Sequence, residues 1–182
     1  LCRRALRVYD ELRAQVERIV DAGLRPTHLD THKHTHLLPP VLDAVCRISA
    51  EFGIAWVRRP FDFPLNATAP FWKRCITRSA GALRRQFHDK LSRHGCRTTD
   101  HFAGFELTGR FGADELIAVL RALPPGSTEF MCHPGCCTEE LRRMRTRLKD
   151  SRAKELRALT AAEVRQVVAS EGIRLVSYRE LA

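Results

Sequence analysis

The run Asp30-Thr31-His32-Lys33-His34-Thr35-His36 places one carboxylate and three imidazoles within seven positions, between a strand-like stretch at Thr27-His28-Leu29 and the pair Pro39-Pro40. Imidazole is the commonest protein ligand for Zn²⁺ and similar cations. In an extended backbone Asp30, His32, His34 and His36 face one way; in a helix His32 and His36 become neighbours at i and i+4. Both geometries converge nitrogen donors on a small volume, so the segment reads as a metal site at a strand end. A polar surface loop is the competing interpretation. It is the weaker one, because solvated loops are built mainly from Gly, Ser, Asn and Asp rather than from alternating His.

Two further groups carry chemistry-bearing side chains. Arg58-Arg59 follow the apolar stretch Ile54 to Val57, and His133 opens the turn His133-Pro134-Gly135 after Ser127 to Cys132. Taken alone, His133 is as easily a turn histidine as a catalytic one, and Arg58 is by default a surface or ion-paired cation. The cluster Cys132-His133-Pro134-Gly135-Cys136-Cys137 lacks the distant CxxC partner of a thiolate zinc site. Cys132 is expected as a small buried hydrophobe, with Cys136 and Cys137 in the following loop.

The elements that must position these residues follow from apolar periodicity. Leu1 to Ala22 reads as the body of an amphipathic helix stopped by Gly23 and Pro26, and Thr27 to Thr31 reads as a strand. Pro39-Pro40 opens a helix to about Phe52 that Gly53 ends, and Ile54 to Val57 is the next strand. A Pro- and Asn-containing loop leads to a helix predicted over Phe71 to His94, closed by Gly95. Thr98 to Phe105 has strand character, Asp114 to Leu123 is a short helix, and Ser127 to Cys132 is a strand. An Arg-rich, weakly structured stretch precedes Lys154-Leu159. Thr160-Ala161-Ala162-Glu163 has the capping-box form before a helix ended by Gly172, and Ile173 to Ser177 is a predicted final strand. Five strands alternating with helices argue for parallel βαβ units in one α/β domain over 1–182, in which chemistry gathers at the C-terminal ends of strands. The three polar groups fall after three such strands.

Composition excludes several classes. The 182 residues, 44% hydrophobic and 29% charged, suit a soluble globular chain with one sizeable core. No apolar run approaches the ~18–20 residues of a membrane span. Seven cysteines without paired spacing favour a reducing compartment, the cytoplasm by default. The formal charge of +10 raises the question of nucleic acid, but the basic residues are dispersed and only two Trp and two Tyr are present for stacking, so no nucleic-acid partner is expected. The densest basic stretch, Lys73 to Arg97, reads as a solvated helix face that permits at most peripheral contact with anionic lipid headgroups. Oligomeric state is open, with a homodimer compatible.

Four segments carry a family resemblance: Pro26 to His36, Trp56-Val57-Arg58-Arg59-Pro60-Phe61, Glu129-Phe130-Met131-Cys132-His133-Pro134-Gly135, and Gly172-Ile173-Arg174-Leu175-Val176-Ser177-Tyr178-Arg179. In that order they resemble the YdjC-like carbohydrate deacetylases (ChbG and HpnK), with the hopanoid-biosynthesis HpnK branch the nearest form. The resemblance implies a distorted, TIM-like (β/α) barrel, of which this chain would be the C-terminal portion with about five βα units. It implies a divalent-metal (Mg²⁺ or Zn²⁺) hydrolase that removes acetyl from an N-acetylated amino sugar, chitooligosaccharide-like or lipid-linked. Of the three ligands it implies, an Asp of an Asp-Asp motif, a His of a following segment and the first His of the His-rich motif, only the last has a counterpart here, His32. His36 is the alternative ligand. These 182 residues by themselves are therefore expected to be nearly inactive.

Acetamide hydrolysis needs an activated water, a polarised carbonyl and a proton for the departing amine. Under the resemblance His133 is the expected general acid or oxyanion partner. Asp30, His34 and His36 would orient a ligand imidazole or touch substrate, and Arg58 would contact sugar hydroxyls or a lipid-linked polar group. Two other classes use the same residues: a metal-dependent phosphoesterase or nuclease, and a non-catalytic carbohydrate-binding fragment.

Overall fold

Residues 7–63 and 81–181 are described in a computed structural model. Their contacts divide into two compact units, one of residues 7–60, 81–99 and 176–181, the other of residues 61–63 and 100–175.

In the first unit, α1 (Val8–Asp21) packs on α2 (Pro39–Phe52). Tyr9 and Arg13 of α1 both bind the Glu51 carboxylate of α2, Arg13 Nε at 2.7 Å, and Arg47 stacks over the Tyr9 ring. α2 begins and ends where its sequence says. The two prolines occupy its first turn, where the missing N–H groups cost nothing. Gly53 terminates it at φ +66°, a conformation that suits glycine, while the Ile54 N–H donates to the Ser49 carbonyl at 3.0 Å. Strands β1 (His28–Leu29) and β2 (Trp56–Val57) pair in parallel, His28 opposite Trp56 and Leu29 opposite Val57. Arg97 extends this ladder through a parallel bridge to Trp56. The helix α3 is described over Gly81–Arg93; the rest of the predicted helix, 71–80, lies outside the described residues. The core gathers Leu42, Val45, Ile48, Val57, Phe87 and Leu91.

In the second unit, β3 (His101–Ala103) pairs in parallel with β4 (Thr128–Phe130), and Asp62 bridges to Phe102 on the other side of β3. Helices α4 (Ala113–Arg121), α5 (Glu139–Arg143), α6 (Asp150–Thr160) and α7 (Ala162–Ser170) follow in order. Phe63, Ala103, Leu107, Phe111, Leu116, Val119, Ala158 and Val164 form its core; Cys132, expected to be buried, packs against it half-buried.

Three expectations change. The described strands make two two-stranded parallel sheets, and no closed barrel is formed among the described residues. The predicted strand at Ile173 to Ser177 has no regular structure; Leu175 is 77% exposed, and a β-rich stretch without a ladder partner gains nothing from extension. The capping box at Thr160 is absent. Thr160 instead ends α6, its hydroxyl donating to the Leu156 carbonyl at 2.9 Å, and Ala161 takes the N-cap of α7 without a side-chain cap.

Candidate functional site

The His-rich run is neither extended nor α-helical. After Thr31 it forms a 3₁₀ segment, His32–Leu37, broken by two consecutive left-handed residues, Lys33 at φ 55° and His34 at φ 56°. A non-glycine residue in that region costs about 1–2 kcal/mol, so two in a row require firm support from their surroundings. The support is His36. Its side chain is fully buried, its Nδ1 lies 2.6 Å from the Thr31 hydroxyl, and its Nε2 lies 3.1 Å from the Arg58 carbonyl. A carbonyl only accepts, so Nε2 carries the proton and Nδ1 accepts from Thr31. The Thr31 oxygen in turn accepts the His36 backbone N–H at 2.9 Å. Burial, the largest influence, lowers the His36 pKa to about 4. His36 is thus a neutral imidazole that ties the turn to the end of β2, and both of its ring nitrogens are already engaged.

With His36 buried and His34 buried beside it, ring centroids 6.1 Å apart, the left-handed turn leaves His32 exposed. Asp30 follows β1 and Arg58 follows β2. Because the strands run parallel, both reach the same end of the sheet, where they form an ion pair, and the Arg58 N–H donates to the Leu29 carbonyl at 2.9 Å. The expected common face of Asp30, His32, His34 and His36 is therefore split, two residues outward and two inward.

His133, in the second unit, is half-buried at the C-terminal end of β4. Its backbone N–H donates to Glu155 Oε2 at 2.6 Å, and the Gly109 N–H donates to Glu155 Oε1 at 3.0 Å. Gly104 ends β3 at φ +121° with the Met131 backbone so close that a Cβ would lie 2.3 Å from the Met131 oxygen; only glycine lets the two strand ends approach. Asp62, 2% exposed, accepts the N–H groups of Phe105 and Glu106 at 3.1 and 2.7 Å and so shapes the loop after β3. Neither Glu155 nor Asp62 was singled out by type or spacing. Glu155 did leave a trace: a carboxylate three residues before Ala158 and four before Leu159, on the apolar stripe of a helix, has no solvated face to occupy.

A catalytic zinc site takes three protein ligands, and among the described residues no group of three His, Cys, Asp or Glu side chains comes together to hold an ion. The described residues offer exposed His32 and ion-paired Asp30 but do not complete a metal centre. The five described cysteines are free thiols, Cys132 among them.

The described sheets are parallel, and Asp30, Arg58 and His133 follow the C-terminal ends of their strands, the place where α/β folds gather their ligand sites. A profile of the YdjC-like protein family matches residues 3–170, and the chain belongs to that family. Similar proteins include the carbohydrate deacetylases of Mus musculus, 30% identical over 96% of this chain and 62% of that protein, of Brevibacillus brevis strain 47, 31% identical over 94% and 60%, and of Homo sapiens, 30% identical over 96% and 59%. The chain spans about three fifths of the length of these curated relatives. The solved structure of a proposed cellobiose-phosphate cleavage protein from Enterococcus faecalis V583 has the same fold, with a TM-score of 0.71 at 21% identity over 96% of this chain and 60% of that one.

Proposed function

We propose that this chain serves a hydrolase that removes the acetyl group from an N-acetylated amino sugar, chitooligosaccharide-like or carried on a lipid of the hopanoid type, within a distorted (β/α) barrel. The membership in the YdjC-like family and the carbohydrate deacetylases among its relatives support the reaction class. The observation that carries the reading at the level of residues is the turn at Lys33-His34: buried His36 sustains a strained backbone that leaves His32 exposed, two residues past the ion-paired Asp30 at the end of β1. His32 is the imidazole this chain offers to a divalent cation, Mg²⁺ or Zn²⁺; such an ion would activate water and polarise the amide.

The remaining roles belong to this chain's own groups. His133 holds the proton that the departing amine takes as the C–N bond breaks. Arg58, its guanidinium fixed by Asp30, binds sugar hydroxyls or a lipid-linked polar group. His34 and His36 hold the turn. No helix among the described residues is long and apolar enough to cross a membrane, which is compatible with the cytoplasmic setting proposed here and with a substrate met at most at a lipid surface.

The test is His32→Ala in the full-length protein, with bound metal measured by elemental analysis and deacetylation by free-amine release. Loss of both, with the circular dichroism spectrum retained, is expected. Unchanged metal stoichiometry contradicts the assignment of His32.

A further inference from the structure

We propose that Glu155 is a positioning residue that sets the place of His133 by holding the loops after β3 and β4 on a single buried carboxylate; this rests on the proton-transfer reading of His133. Glu155 is 1% exposed in the middle of α6, and among the described residues no ion pair reaches it. An isolated buried carboxylate is costly and persists only where hydrogen bonds compensate it. Here each oxygen accepts one backbone N–H, Oε1 from Gly109 and Oε2 from His133. Two donors arriving on two different atoms require an acceptor at both ends. Glutamine supplies one and would turn its own NH₂ against the other N–H, and aspartate is one methylene too short to keep both distances.

The helix grips the His133 turn at a second point. The Gly135 N–H donates to the Arg152 carbonyl at 3.2 Å, and Arg152 and Glu155 lie three apart on one face of α6. Pro134 between them has no N–H to offer. His133, Pro134 and Gly135 are thus pinned at both ends. The loop reached through Gly109 follows β3, the parallel neighbour of β4, so one carboxylate fixes the C-terminal ends of both strands of this sheet. A fold needing only stability at this point gains more from an apolar residue than from a buried charge. What the charge supplies is a fixed backbone position for the residue that carries the ring.

A double-mutant cycle in the full-length protein tests this, with Glu155→Gln, His133→Ala and the pair compared in kcat and KM, and with amide hydrogen exchange of residues 131–135 followed in Glu155→Gln. A misplacement of about 1 Å costs on the order of 10²-fold in rate, so Glu155→Gln is expected to lower kcat about 10- to 100-fold with KM little changed. It should speed exchange at the His133 amide and cost less than about threefold once His133 is already alanine. Equal losses of kcat in both backgrounds overturn the proposal in favour of a purely structural role, and so does a lowered melting temperature with kcat intact. If His133→Ala itself leaves kcat unchanged, the proton-transfer reading has failed and the positioning role falls with it. Should Glu155→Gln not fold, Glu155→Asp keeps the charge, lengthens the bonds and carries the same cycle with the same deciding outcomes.

Discussion

Two turns in this chain present a histidine after a parallel strand, and each is held by a different kind of buried group. The turn after β1 is held by a neutral imidazole, His36, whose ring reaches from the Thr31 hydroxyl to the Arg58 carbonyl and keeps two non-glycine residues left-handed. The turn after β4 is held by a carboxylate, Glu155, which receives two backbone N–H groups. In both, the group that is buried and fully engaged is separate from the histidine assigned to chemistry. Histidine count alone is therefore a poor guide to function: of the three in the His-rich run, the most buried is an anchor and the most exposed is the candidate ligand.

Substitution should act most strongly at the two presented histidines. In the full-length enzyme His133→Ala, or His133→Gln, is expected to lower kcat by about 10²–10⁴ with little change in KM or metal content, and to remove the alkaline limb of the rate profile. Steady-state kinetics across pH checks this, and a raised KM with kcat intact would make His133 a substrate contact instead.

Anchors should fail differently, through stability. His36→Ala empties a fully buried site and strands the Thr31 hydroxyl and Arg58 carbonyl, so it is expected to cost about 3 kcal/mol in urea unfolding. The same ring gives the wild type a pH signature. Its folded pKa is lowered to about 4 from 6.5, so protons bind the unfolded chain preferentially. Stability is whole above pH 6.5 and is lost as pH falls towards 4, by up to about 3 kcal/mol from this residue. His36→Phe should flatten that part of the stability profile. A profile as steep as the wild type's would mean that the ring is not held neutral.

The smallest effect concerns the backbone. Lys33→Gly relieves one left-handed residue and should stabilise the protein by about 0.5–1 kcal/mol, measured as a rise in melting temperature. The turn at His133 contains no positive-φ residue, so Pro134→Gly there should bring no such gain.

What could be read beforehand depended on how local the determinant was. α2 was legible to its ends, because Pro39-Pro40 and Gly53 act through their own backbone geometry. Arg58 and His133 were legible as strand-end residues, since parallel βαβ order alone places them there. The Asp30–Arg58 pair was not, because it depends on the register of β1 with β2. The split of the His-rich run was also hidden: alternation suggested one face, and only the Thr31–His36–Arg58 bonds, which span more than twenty residues, turn it inward. Ile173 to Ser177 misled for the converse reason, since β-branched composition announces a strand that needs a partner to form. Asp62 and Glu155 escaped because a carboxylate that accepts backbone N–H groups leaves no motif, only a charge on an apolar stripe.

Cleavage of an N-acetyl amide on a sugar is the chemistry proposed for these histidines. The measurement that decides this is to incubate the full-length protein, supplied with Mg²⁺ or Zn²⁺, with N-acetylglucosamine oligosaccharides and, separately, with a sugar phosphate, and to quantify acetate, free amine and inorganic phosphate. Acetate and free amine in equal amounts, with no phosphate, are the expected products. Phosphate release without acetate, or sugar binding with neither product, would contradict the proposal.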